Sequence, residues 1–158
     1  MTKTPASLYS IVAVAEMVTW ALLISAMIAR YGFGYEGGLF FVAGLSHGII
    51  FLAYGLTSVV IGINLRWGFS TTAIAVVLAI VPFATVPVDR WLLKKGKLDG
   101  AWRITATDDP ADSKLLDTVV RFWVGHPVSF FLMIVIGMAA AITFLLSIGS
   151  PTEWGSGA

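Results

Sequence analysis

The chain has 158 residues, 58% of them hydrophobic and only 12% charged, with a formal net charge of +1 and a mean hydropathy of +0.88. Soluble domains carry about 25% charged residues, so this composition excludes an ordinary water-soluble globular domain. The absence of cysteine excludes disulfides and thiolate metal or redox sites, and it leaves the redox compartment unread.

Four nearly charge-free apolar runs follow in chain order, over residues 8–28, 39–63, 69–88 and 128–148. A helix of about 20 apolar residues spans the roughly 30 Å hydrocarbon core of a bilayer. The expected fold class is therefore an all-α membrane protein with four transmembrane helices, the first three forming a core over residues 1–95. The first run is too long for a signal peptide and contains Glu16, and no clear small-x-small cleavage site follows it, so it reads as a retained helix. The third contains Pro82 and Pro87, which predict a bend near its cytoplasmic end.

Residues 96–110 (GKLDGAWRITATDDP) are polar, broken by glycine and without helical period. Asp109 before Pro110 suits an N-cap followed by proline at the first helical position, with Asp112 reinforcing the positive helix start. Leu115, Leu116, Val119, Val120 and Trp123 then share one face, with Lys114, Asp117 and Arg121 off it. That pattern predicts a short amphipathic helix over 110–124 in the membrane surface, read first as a connector packed on the bundle and second as a docking face for a partner protein. Residues 96–125 are thus a connector, and 126–158 hold the fourth helix and a short tail.

Charge sets the expected topology. With four crossings, the loop around Arg66 shares a side with both termini, and the segment from Asp89 to Gly125 shares the other with the loop after Arg30. The second side holds eight of the ten basic residues. Lys and Arg favour cytoplasmic loops, so both termini are expected outside the cytoplasm, in a bacterial inner membrane. Trp67, Trp91, Trp102, Trp123 and Trp154 lie at or beyond span ends, as an interfacial belt would.

Glu16, inside the first span, is the most expensive residue to place in lipid. A charge at a helix centre costs about 2.5–3.5 kcal/mol on insertion scales, so it usually faces the bundle interior and finds a partner. On the second span His47, Phe51, Tyr54 and Ser58 are spaced by four, three and four, on one helical face. A Tyr54 hydroxyl donating to Glu16, or a Glu16–His47 pair, is the expected contact. A static interhelical bond, a proton relay and haem ligation by His47 all fit these residues, and the static bond fits best. Gly44 and Gly48 form a small-x-x-x-small motif, and Gly48, Gly55 and Gly62 recur every seven residues. With Gly137 and Ala141 in the fourth run, they are expected to permit close helix approach, within the chain or against another subunit.

Several short motifs occur in a fixed order. Arg30-Tyr31-Gly32 ends the first helix, His47-Gly48-x-x-Phe51-x-x-Tyr54 lies in the second, and Val81-Pro82-Phe83-Ala84-Thr85 with Asp89-Arg90-Trp91-Leu92 closes the third. This combination resembles the YdzA-like family of small bacterial integral membrane proteins, frequent in actinobacteria and of unknown function, over residues 7–95. The resemblance implies a three-helix core and supplies no catalytic residues. Glu16 is followed by Met17 where that family has Glu-Gly, and the fourth helix is an addition.

No cysteine nucleophile, His/carboxylate metal spacing or phosphate loop is present in the sequence. The expectation is a non-enzymatic subunit without a cofactor that assists a larger membrane complex, a respiratory-chain assembly being the specific candidate. Its partners would be that complex and lipids. Nucleic acid is not expected, because the segment from Asp89 to Gly125 mixes six acids with seven bases. The competing expectation is a small proton-coupled carrier or channel using Glu16, His47 and Tyr54.

Overall fold

A computed structural model describes residues 4–148, part of the last helix as backbone alone. Helix α1 runs Pro5–Met27 and continues through a π-type turn, Ile28–Gly32. Its start is capped: Thr4 Oγ1 accepts the Ser7 amide at 3.2 Å, and Pro5 occupies the first helical position, where no N–H is needed. Helix α2, Leu39–Asn64, packs antiparallel along α1. The segments Pro5–Gly32 and Leu39–Asn64, 28 and 26 residues, are long and apolar enough to cross a membrane.

The third apolar run does not continue as one helix. Helix α3, Phe69–Val77, tightens into a 3-10 turn at Leu78–Ile80. These 12 residues rise only about 20 Å, short of a bilayer core. Pro82 then stops the helix, Val81 takes the extended backbone that a following proline favours, and Phe83 adopts φ 65°. Helix α4, Thr85–Lys94, runs back the way α3 came.

Hydrogen bonds fix this reversal at both ends. At the tip, the Trp20 indole N–H donates to the Ala79 carbonyl at 3.2 Å. At the base, the Trp67 indole N–H, just before α3, donates to the Lys97 carbonyl, just after α4, at 2.6 Å. The expected span over 69–88 is thus corrected to a helical hairpin that reaches the level of Trp20 and returns. Its returning limb brings Thr85 and Asp89 to α1, where Glu16 and Ser10 meet them. A straight helix would have left both polar groups without those partners. Consequently the residues after α4 lie at the same end as Arg66, and the sidedness expected from four crossings does not hold.

At that shared end a polar strap covers the close of α2. Arg103 donates to the carbonyls of Ile63 at 2.7 Å and Asn64 at 2.6 Å, satisfying helix-terminal acceptors that have no partner within α2. Asn64 answers by accepting the Arg103 amide at 2.9 Å and donating to the Ala101 carbonyl at 3.1 Å. Asp112 is the hub: it accepts Arg66 and Arg103 at 2.6 Å each, the Thr107 amide at 2.8 Å and the Thr107 hydroxyl at 2.7 Å. The Thr107 bonds foremost, then the Arg103 and Arg66 charges, hold its carboxyl below its ordinary value.

This commitment of Asp112 moves the amphipathic helix. Pro110–Ser113 makes one 3-10 turn, and α5 begins only at Leu115, ending at Gly125. The expected docking face also divides. Val120 and Val124 are buried, on the side where α5 packs against α2, and Trp123 is half-buried. Leu115, Leu116 and Val119 remain exposed, joined by Phe122. Trp67, expected at an interface, is a buried core residue, and Trp154 lies outside the described residues. After a break at His126, α6 runs Pro127–Ile148.

Candidate functional site: the polar seam along α1

One stripe of α1 carries Tyr9, Ala13, Glu16 and Thr19–Trp20, spaced by four, three and three to four. It faces α2 on one side and the hairpin on the other, so each polar side chain meets a group from a different element. From the strap end inward, the Tyr9 and Tyr54 hydroxyls bond at 2.6 Å, with ring centroids 5.5 Å apart, and Trp67 closes on Tyr9 edge-on at 5.9 Å. The Ser10 hydroxyl donates to Asp89 at 2.9 Å. The Thr85 hydroxyl faces Glu16 Oε2 at 2.8 Å and the Ala13 carbonyl at 3.1 Å. Deeper still, Thr19 Oγ1 lies 3.2 Å from His47 Nδ1, and the His47 ring sits 4.3 Å from the Trp20 ring.

Glu16, His47, Tyr54 and Ser58 are all buried, yet the structure gives each a separate partner. Glu16 bonds Thr85 of the hairpin rather than Tyr54 or His47. Tyr54 bonds Tyr9, and Ser58 donates back to the Tyr54 carbonyl at 2.9 Å. Thr19 has one hydroxyl proton, which it gives to the Glu16 carbonyl at 2.9 Å. His47 therefore meets Thr19 as an Nδ1–H donor. His126 is remote, bonded through Nδ1 to the Phe122 carbonyl at 2.9 Å at the end of α5. Among the described residues no three His, Cys, Asp or Glu side chains gather as metal ligands.

The seam joins α1 to α2 and to the hairpin through side-chain hydrogen bonds. In lipid, hydrogen bonds between helices replace the missing hydrophobic drive, and each is worth on average about 0.6 kcal/mol. One atom breaks the pattern: Glu16 Oε1 is buried without a hydrogen-bond partner. No ion pair neutralises this carboxyl, the described salt bridges all lying in the strap. Sequence reasoning does not single out Tyr9, Ser10 or Thr19, and it reaches Thr85 and Asp89 only as members of the motifs behind the family resemblance, not as site residues. Tyr9 and Thr19 carry a signal, their spacing of seven and three from Glu16; Thr85 and Asp89 become visible only once the hairpin is recognised.

The glycines of α2 behave in two ways. A Cβ on Gly62 would lie 2.6 Å from Thr72 Oγ1, so this glycine does bring α2 and α3 close. A Cβ on Gly44, Gly48 or Gly55 would meet nothing within 4 Å. Those three mark an open stripe rather than a packed intrachain seam. Gly137 and Ala141 lie outside the described side chains.

The comparisons with known proteins fall on this same unit. Residues 6–94, the end of the cap through the end of α4, match the family described as Domain of unknown function (DUF3817), and the chain belongs to that family. A Streptomyces coelicolor protein, named only as a membrane protein, is 33% identical over 89 residues, covering 55% of this chain. The matched part is 10% of that much longer relative. No solved structure matches the chain.

Proposed function

We propose that this chain is a non-catalytic membrane module that packs on a larger membrane assembly as an accessory or assembly subunit. The observation that carries the reading is the open stripe of Gly44, Gly48 and Gly55 beside the α1-facing side of α2. Small residues at helical spacing let a second backbone approach closely in lipid, and none of the described residues takes up that approach. The exposed Leu115, Leu116, Val119 and Phe122 of α5 offer a second contact at the strap end. Occupying a tenth of a longer membrane protein in Streptomyces suits a module that works beside other membrane segments. The specific assembly proposed, a bacterial respiratory-chain (cytochrome/oxidase) complex, follows the actinobacterial resemblance.

In this reading α1, α2 and α6 cross the bacterial inner membrane and the hairpin dips into it. Arg66, Arg90, Lys94, Lys95, Lys97, Arg103, Lys114 and Arg121 all belong to the strap end, against Arg30 at the other. The excess makes the strap end cytoplasmic. The start of α1 is then cytoplasmic too, in place of the outside location expected from four crossings.

Purification in mild detergent tests the proposal. The wild-type chain is expected to bring down a stoichiometric membrane complex, and Gly48→Leu to release it while leaving the chain folded. Retention of the complex by Gly48→Leu, or a wild-type chain that purifies alone, contradicts the reading. The second reading, a proton-coupled carrier, draws on the unpartnered Glu16 Oε1. It requires proton or substrate flux in liposomes holding only this chain, abolished by Glu16→Gln.

A further inference from the structure

The two limbs of the hairpin pack on different helices, α3 on α2 and α4 on α1. Between the limbs lies an open groove of about 470 Å³, lined by Ile74, Leu78, Ala84, Pro87, Val88 and Trp91. Every lining side chain is apolar. On α4 the spacing continues past the groove: Ala84, Pro87 and Val88, then Trp91, then Lys94 and Lys95 follow at three and four residues along one face. Arg90 stands one position before Trp91. Arg90, Lys94 and Lys95 are exposed, and none takes part in the described ion pairs, which use Arg66, Arg103 and Arg121.

Depth completes the pattern. The ten residues of α4 rise about 15 Å, half of a roughly 30 Å hydrocarbon core. The groove therefore runs through one leaflet, apolar in its depth, with an aromatic ring near its mouth and three exposed cations at the surface, of which Arg90 also feels the neighbouring Asp89 carboxyl. We propose that the cleft of the re-entrant hairpin holds one anionic phospholipid of the strap-side leaflet, its acyl chain between the limbs and its phosphate on Arg90, Lys94 and Lys95. An apolar slot opening into lipid takes up a hydrocarbon chain. The cations select a negatively charged head group, each basic residue near the surface strengthening attraction about fivefold. The inference rests on the hairpin and not on the accessory-subunit reading.

Native mass spectrometry of the full chain in neutral detergent tests it, titrating dioleoyl-phosphatidylglycerol against dioleoyl-phosphatidylcholine. The wild-type chain is expected to retain one phosphatidylglycerol at least tenfold more tightly than phosphatidylcholine. Lys94→Gln and Lys95→Gln, both at exposed positions, are each expected to weaken retention about fivefold, and Arg30→Gln at the opposite end to leave it unchanged. Ala84→Phe keeps every charge but fills the slot, and is expected to lower retention tenfold or more. Circular dichroism confirms that each variant is helical, and Val88→Phe replaces Ala84→Phe should the latter not fold. Equal retention of the two lipids overturns the proposal. So does an unchanged affinity in the slot-filling variant, or displacement of the lipid by glycerol phosphate at equal concentration, which would mark a bare anion site. An acidic helix of another protein in the groove would likewise overturn it, by excluding lipid from the purified complex.

Discussion

Replacing Thr85 by valine removes one hydroxyl from a fully buried position and keeps the shape of the side chain. That hydroxyl is the hydrogen-bond donor to Glu16, at 2.8 Å, and Glu16 Oε1 is already without a partner. The variant thus strands a whole carboxyl inside the bundle. A buried polar group left unpaired costs about 1–3 kcal/mol, whereas interhelical bonds in lipid average about 0.6 and reach about 1.7. The upper part of the second range applies, because the nearby Trp20 indole N–H is already given to the Ala79 carbonyl, so the expected loss is about 1–2 kcal/mol. For a chain of this size that lowers the melting temperature by roughly 2–8 °C. Thermal unfolding in mild detergent measures it. The double variant Thr85→Val/Glu16→Leu removes both partners and is expected to be more stable than Thr85→Val alone, since an apolar pair leaves nothing unsatisfied. A Thr85→Val protein within 0.3 kcal/mol of wild type, or strictly additive losses in the double variant, would refute the assignment of Glu16 to the hairpin.

Other expectations follow from the same geometry. Gly62→Ala forces a Cβ to 2.6 Å from Thr72 Oγ1 and should destabilise the chain by about 1–3 kcal/mol, whereas Gly48→Ala enters open space and should be neutral or stabilise by up to about 1 kcal/mol through helix propensity; melting curves of the pair discriminate. Arg103→Lys keeps the charge but loses the fork that binds Ile63, Asn64, Asp112 and Asp117 together, so hydrogen exchange across residues 97–113 should accelerate at least tenfold while α1 and α2 stay protected. Asp112 has its folded value depressed, so its contribution is complete above the unfolded value of about 3.9 and fades as pH falls through the lower folded value. The strap should therefore loosen in acid, read as faster exchange of the Thr107 amide below pH 4, and Asp112→Asn should show the loosening already at pH 7.

How far the sequence revealed this molecule depended on the kind of signal. Long apolar runs identify α1 and α2 because length and hydropathy are sufficient to describe a crossing. Residues 69–88 pass the same test, yet hydropathy does not distinguish a helix that crosses from one that enters and returns. The distinguishing marks were Pro82 in mid-run and the polar pair Thr85 and Asp89 four residues apart, which fall on the α1-facing side of a returning limb. Glu16 was recognisable as a buried group that needs a partner, but its partner came from the hairpin, so the reading looked to His47 and Tyr54 instead. The charges of residues 99–117 resembled a solvated connector; Asn64 at the end of α2 gave no local sign that Arg103 would close over it. Asp112 resembled a helix-start acid for the same reason, its partners Thr107, Arg103, Arg121 and Arg66 lying at separations of 5, 9, 9 and 46 residues.

The central structural claim is that both ends of the α3–α4 hairpin lie on one side of the membrane, and labelling tests it most directly. The chain has no cysteine, so single cysteines introduced by Gly68→Cys, Lys97→Cys and Glu36→Cys report without background. In sealed inside-out vesicles a membrane-impermeant maleimide should label the first two and spare the third, with the pattern reversed in spheroplasts. Labelling of Gly68→Cys and Lys97→Cys from opposite sides would restore a crossing third helix and contradict the account.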